Sequence, residues 1–223
     1  MTRVLIVAEG QTERSFVSEV LAEALWPHNV LVTPTLLGEP GQKGGRTDYA
    51  RVKSDVLRHL KQDPTACCST MLDFYGLGGG FPGTPVPSGV PNLAKVTRIE
   101  QAVKADIGER IPDLRPDLRF LPYIQLHEYE ALLFSDPPAF ATAIGEPHLA
   151  RVFQRVRDAF PTPEDIDDGS STAPSKRVLQ VCHLYRKVVD GTIAARAVGI
   201  NAMRRECPHF RDWLERLEAL APQ

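Results

Sequence analysis

The sequence predicts an α/β protein built on a mainly parallel four-stranded sheet flanked by helices, with a helical extension behind it. Three observations carry this. Short apolar runs alternate four times with segments of helical periodicity over residues 4–136. The first run, Val4-Leu5-Ile6-Val7-Ala8, is continuously apolar, as in a parallel strand covered on both faces. Beyond residue 137 the strand-like runs stop and every patterned segment reads as helix. The expected division is therefore an α/β core over 1–136 and a helical extension over 137–223.

Each element follows from local chemistry. After the first strand comes Glu9-Gly10-Gln11-Thr12-Glu13, with Thr12 the expected helix N-cap and Glu13 placed to complement the helix dipole. Phe16, Val17, Val20, Leu21, Ala24 and Leu25 continue as helix until Pro27. Val30 to Thr33 reads as the second strand, followed by a glycine-rich loop from Gly38 to Arg46. Tyr49, Val52, Val56, Leu57 and Leu60 mark the next helix, stopped at Asp63-Pro64. Ser69 to Leu72 is the third strand, closed by Asp73. Residues 76–91, rich in glycine and proline, are too long for a plain connection and read as a functional or a mobile loop. Val96, Ile99, Val103 and Ile107 give a third helix, and Arg119 to Ile124 a fourth strand that Pro122 places at or near an edge. A short helix is expected near His127, then helices near 137–144, 148–158, 175–189, 192–205 and 208–220. The crossovers between parallel strands should be right-handed.

Bulk properties narrow the function. A formal net charge of -2 gives no global field to draw the chain onto a polyanion, so nucleic-acid contact needs a local basic patch, a metal or a partner. Cys67, Cys68, Cys182 and Cys207 have no metal-site spacing and read as reduced thiols. No apolar run approaches a membrane span, and Val4–Ala8 is too short for a signal peptide, so a cytoplasmic location is expected.

Acidic residues gather at the strand ends. Glu9 and Glu13 flank the first turn, Asp73 closes the third strand, and Glu128 and Glu130 follow the fourth. In an open α/β sheet ligands sit outside the carboxyl ends of the strands. Carboxylates converging there suit a hard cation, Mg2+ or Mn2+, and thus chemistry at phosphate. The bland alternatives are a dipole-complementing Glu13 and an Asp73 that caps its turn.

The motifs also carry a resemblance. Val7-Ala8-Glu9-Gly10-Gln11-Thr12-Glu13 resembles the opening signature of the Toprim domain. The wider set resembles bacterial proteins of domain-of-unknown-function family 4276: Met71 to Gly76, His127 to Phe134, Ala173 to Arg177, and Cys207 to Phe210 with Trp213-Leu214. The resemblance spans nearly the whole chain. It implies a Toprim-like, Rossmann-like fold related to the nuclease domains of overcoming-lysogenization-defect and RloB-like defence proteins. It implies Glu9 as principal carboxylate, Glu13 as the second Glu, and Asp73 as the first Asp of an Asp-x-Asp pair. Tyr75 stands where the second Asp would be; either Glu128 or Glu130 supplies the missing carboxylate, or the site holds one metal.

Further residues complete the expectation. His127 is placed as a base or phosphate donor, with a buried structural role the alternative. Lys176 and Arg177 lie at a helix start, where cations oppose the dipole; that points to an anion nearby, either substrate phosphate or the acidic cluster. Lys176 would then stabilise developing negative charge. Arg177, with Lys43 and Arg46 of the glycine-rich loop, would contact nucleic acid. The leading expectation is a metal-dependent nuclease acting on DNA or RNA in bacterial defence. The alternatives are a non-catalytic subunit regulating an ATPase partner protein, and a nucleotide phosphohydrolase.

Overall fold

The computed structural model describes residues 1–38, 47–87, 89–166 and 172–220. Strand β1 (Thr2–Ala8) leads into helix α1 (Gln11–Phe16), which runs through a π-helical turn at Val17–Leu21 into α2 (Ala22–Leu25). Then come β2 (Val30–Leu36), α3 (Tyr49–Gln62), β3 (Cys67–Asp73), α4 (Asn92–Arg110), α5 (Pro116–Arg119), β4 (Phe120–Leu121) and β5 (Ile124–Gln125). A 3-10 segment, Tyr129–Ser135, opens the helical part. It is followed by α6 (Pro137–Ala143), α7 (Ala150–Asp158), α8 (Pro174–Val181), α9 (Lys187–Val198), α10 (Ile200–Glu206) and α11 (Pro208–Glu218).

The fold class is the one expected. The strands run parallel in the order β2-β1-β3-β4, with β5 also on β3. The expected fourth strand is split in two. Pro122 has no N–H to give the ladder, and the Thr70 side chain bridges the gap: its hydroxyl accepts from Tyr123 N at 2.9 Å and donates to Tyr123 O at 2.8 Å.

Side-chain alternation along the strands builds two cores. Val7, Cys68, Leu72, Phe120 and Ile124 face α3 and α4. Val4, Ile6, Met71, Leu121 and Tyr123 face the opposite way, against Phe16, Val20 and the helical part. Trp213 of α11 stacks on Tyr123 with centroids 4.2 Å apart, and its indole N–H donates to Ser69 Oγ at 2.9 Å. His209 also stacks on Tyr123, at 5.0 Å. The end of the chain is thus bolted to the central strand β3.

Several boundaries differ from expectation. The first helix starts at Gln11, with Gly10 rather than Thr12 as its cap; Glu13 reaches back so that its Oε2 accepts from Gly10 N at 2.8 Å. Residues 175–189 are not one helix but two, parted at Cys182–Arg186. The buried Tyr185 packs on Phe140, and the Asp190 carboxylate accepts the Arg186 backbone N–H at 2.7 Å, fixing a new helix start. The 192–205 helix is broken at Gly199, whose φ of 76° suits a residue without Cβ. No helix among the described residues is long and apolar enough to cross a membrane.

Candidate metal centre

β1 and β3 are neighbours in the middle of the sheet. The chain leaves β1 toward β2 on one side and returns to β3 on the other, so the crevice at their carboxyl ends is the topological switch point. Glu9 is the first residue past β1, and Asp73 is the last of β3.

Glu9 Oε2 accepts a hydrogen bond from Asp73 N at 3.0 Å. The buried Thr47 hydroxyl lies beside Glu9 close enough to favour its charged form, but short of good hydrogen-bond geometry. Gly76 faces the same carboxylate; a Cβ there would run into Glu9 Oε1. Asp73 is partly accessible as a residue, yet its Oδ1 is buried and meets no hydrogen-bond donor among the described residues. It does not serve as a side-chain cap for the turn that follows it.

Three further carboxylates are buried on neighbouring segments. Glu13 is buried, one helical turn into α1. Glu128 and Glu130 are buried where the chain enters the 3-10 segment. Glu128 Oε2 accepts the Ser175 backbone N–H at 2.9 Å, so this carboxylate satisfies the first turn of α8.

Electrostatics reports the crowding. Burial and the charges of Glu13, Glu9, Glu130 and Glu128 hold Asp73 well above the usual carboxylate range. Burial, with help from Glu9 and Glu130, pushes Glu13 up to about 7. Glu9 and Glu130 are also raised, first by burial.

Among the described residues one cation contacts these carboxylates, and the sequence reading missed it. Lys187, the first residue of α9, places Nζ 3.2 Å from Glu130 Oε1, 3.4 Å from Glu130 Oε2 and 3.8 Å from Glu128 Oε1. Its side chain is 43% exposed. Burial works against its charge, but Glu130, Glu128 and Asp73 together hold its pKa above the ordinary lysine value. The available signal was the one used for Lys176: a lysine at a helix start, against the dipole. It was hidden because no glycine or proline marks the break before it.

The other expected residues lie as follows. His127 is wholly buried in a left-handed turn, with φ at 61° and Nε2 3.3 Å from Asn92 Nδ2. The expected helix near it begins only at Tyr129, because that turn intervenes. Lys176 is exposed on α8, next to the amide that Glu128 accepts. Arg177 Nε donates to Thr172 O at 2.7 Å, and its guanidinium lies over Phe160. Tyr75 is 52% exposed. Lys43 and Arg46 lie outside the described residues.

An oxygen-only donor set with a surplus of negative charge and a buried, donor-free Asp73 Oδ1 fits a hard divalent cation by chemistry. By geometry it is open: among the described residues, no three acidic, histidine or cysteine side chains converge as ready-made ligands.

Two solved structures are similar to this chain, both of the C-terminal region of the OLD protein of Xanthomonas campestris pv. campestris. The one phased with mercury is 14% identical with a TM-score of 0.46, covering 98% of this chain and 96% of that one. The one phased with iodine is 13% identical with a TM-score of 0.41, covering 98% and 95%. No curated protein matches the chain. The family described as "Domain of unknown function (DUF4276)" matches residues 8–218, a span that takes in every carboxylate described above and Lys187. The chain belongs to the DUF4276 family.

Proposed function

We propose that this protein is a divalent-metal-dependent phosphodiester-cleaving enzyme, a nuclease in the first instance, whose centre lies at the carboxyl ends of β1 and β3. The observation that carries the reading is the pairing of Glu9 with Asp73 at the switch point, with Asp73 Oδ1 buried and lacking a donor. Glu9, Asp73 and Glu13, with Glu128 or Glu130, would hold Mg2+ or Mn2+. Such a cation, when bound, polarises a phosphoryl oxygen and lowers the pKa of a water molecule.

The chain's own residues do the rest. The Asp73 N–H fixes one oxygen of Glu9, and the Gly10 N–H fixes one of Glu13, so both carboxylates are held before any ligand arrives. Lys176, exposed beside the Ser175 amide that binds Glu128, is the group assigned to meet negative charge on the phosphate. His127, being wholly buried, shapes the turn that delivers Glu128. A role in bacterial defence, alongside an ATPase partner, rests on the family resemblance stated above.

A second reading, a non-catalytic regulatory subunit, is favoured by two observations. No three ligating side chains converge among the described residues, and Tyr75 stands exposed where the Toprim pattern has an Asp. Calorimetric titration with Mn2+ of the wild type, Glu9→Gln and Asp73→Asn separates the two. The enzymatic reading expects wild-type binding, its loss in both variants, and Mn2+-dependent cleavage of single- or double-stranded DNA or RNA. Release of phosphate from nucleotides without polymer cleavage would redirect it to a phosphohydrolase. Binding without any turnover would favour the regulatory subunit.

A further inference from the structure

We infer that Lys187 is a built-in counter-ion that a divalent cation must displace on entering the acidic centre. The inference rests on the metal-binding reading above and deepens it by naming what regulates the same site.

Three observations lead to it. First, of the five acidic residues Lys187 contacts two, through both oxygens of Glu130 and the nearer oxygen of Glu128, and among the described residues it is the lysine that does so. Second, Lys187 answers the buried charge only in part: Glu130 Oε1, 3.2 Å from the ammonium, still makes no hydrogen bond. Glu128 is already satisfied by the Ser175 N–H at 2.9 Å, whereas Asp73 Oδ1 is buried without a donor. Lys187 therefore occupies, at 3.2 Å, a Glu130 oxygen that an incoming metal would need. Third, the ammonium has somewhere to go. Its side chain is 43% exposed and starts from the first position of α9, so the four-carbon stem can swing into solvent without moving the helix.

Exchange is favourable on charge grounds. An ammonium carries one charge and only donates hydrogen bonds, while a divalent cation carries two and accepts several oxygens at once. The reverse exchange returns a compensating positive charge to Glu130 in the metal-free chain. Lys187 is thus a positioning residue, set against the metal in one state and released from Glu130 in the other.

The test measures Mn2+ binding by calorimetry for the wild type, Lys187→Met and Lys187→Arg. It is paired with metal-free thermal melts and with reductive methylation of wild-type lysines read by peptide mass spectrometry. The expected results are Mn2+ affinity raised by about threefold to tenfold in Lys187→Met and unchanged or lower in Lys187→Arg. Lys187→Met should also melt lower without metal, and wild-type Lys187 should be methylated faster with Mn2+ present than without. Methylation tests the idea even if Lys187→Met does not fold. Wild-type binding that Lys187→Met does not improve, or Mn2+ that leaves the methylation rate unchanged or slower, would overturn the counter-ion role alone. Binding by Lys187→Met but not by wild type would support it, while favouring the regulatory reading. Mn2+ binding by none of the three would end both this inference and the metal-dependent function.

Discussion

Glu9 and Asp73, 64 residues apart in sequence, are joined at the sheet's carboxyl edge by the hydrogen bond from Asp73 N to Glu9 Oε2. Because the donor is backbone, the Glu9 carboxylate is set by strand pairing and not by a mobile side chain. Substituting Asp73 therefore changes the charge there without releasing Glu9.

Asp73→Asn should separate stability from binding. The native carboxyl is crowded by Glu13, Glu9, Glu130 and Glu128 and is buried at Oδ1. Neutralising it removes that repulsion, so the metal-free variant should gain about 1 kcal/mol, or roughly 2–4 °C in melting temperature. Mn2+ affinity should fall at the same time. A variant that melts lower than wild type would contradict the crowding argument.

Gly76→Ala should leave the fold standing and spoil the centre. The added methyl meets the flexible end of Glu9, not backbone, so the carboxylate has to move off its Asp73 N–H. A loss of about tenfold in Mn2+ affinity is expected, equivalent to roughly 1.4 kcal/mol, with an unchanged circular dichroism spectrum. Unaltered affinity would mean that the Glu9 position is not needed.

Trp213 should be among the costliest residues to truncate. It is 1% exposed, stacks on Tyr123 and bonds Ser69. Trp213→Ala should cost about 3–5 kcal/mol in urea denaturation. Trp213→Phe keeps an aromatic ring and loses the indole donor, so about 1–2 kcal/mol is expected.

His209 gives a pH dependence remote from the acidic centre. Its Nε2 lies 3.1 Å from Glu100 Oε1 and 3.2 Å from Ile124 O. Burial opposes its charge, but Glu100 prevails and raises its pKa above the ordinary 6.5. A raised histidine stabilises the fold fully below the unfolded value, and that contribution fades as pH climbs through the native value. The melting difference between wild type and His209→Asn should therefore be larger near pH 6 than near pH 9, as thermal melts would reveal. An equal difference at both would leave the Glu100 pair without energetic weight.

How much of this is legible in the sequence depends on burial and punctuation. β1 and β3 are covered on both faces, so their apolar runs stand out, and Glu9 and Asp73 fall at their ends without further information. α5 is harder: Arg119 reads as strand, yet it closes this short helix and ties it down by donating to the carbonyls of Leu60, Asp63, Ala66 and Leu114. Lys187 is hardest. Its helix start depends on Asp190 capping Arg186 and on Tyr185 filling a space beside Phe140, contacts that no periodicity encodes.

The Ser175 amide has a consequence for how the molecule can vary over time. Five carboxylates come from residues 9–130, whereas the Ser175 N–H and Lys187 ammonium that offset two of them arrive from residues 175–187. A genetic exchange falling between these stretches would hand one ancestor's negative charges to another's neutralising groups. The two stretches are therefore expected to be inherited as a single linkage unit, with mismatched hybrids penalised by unbalanced charge even when every helix still forms.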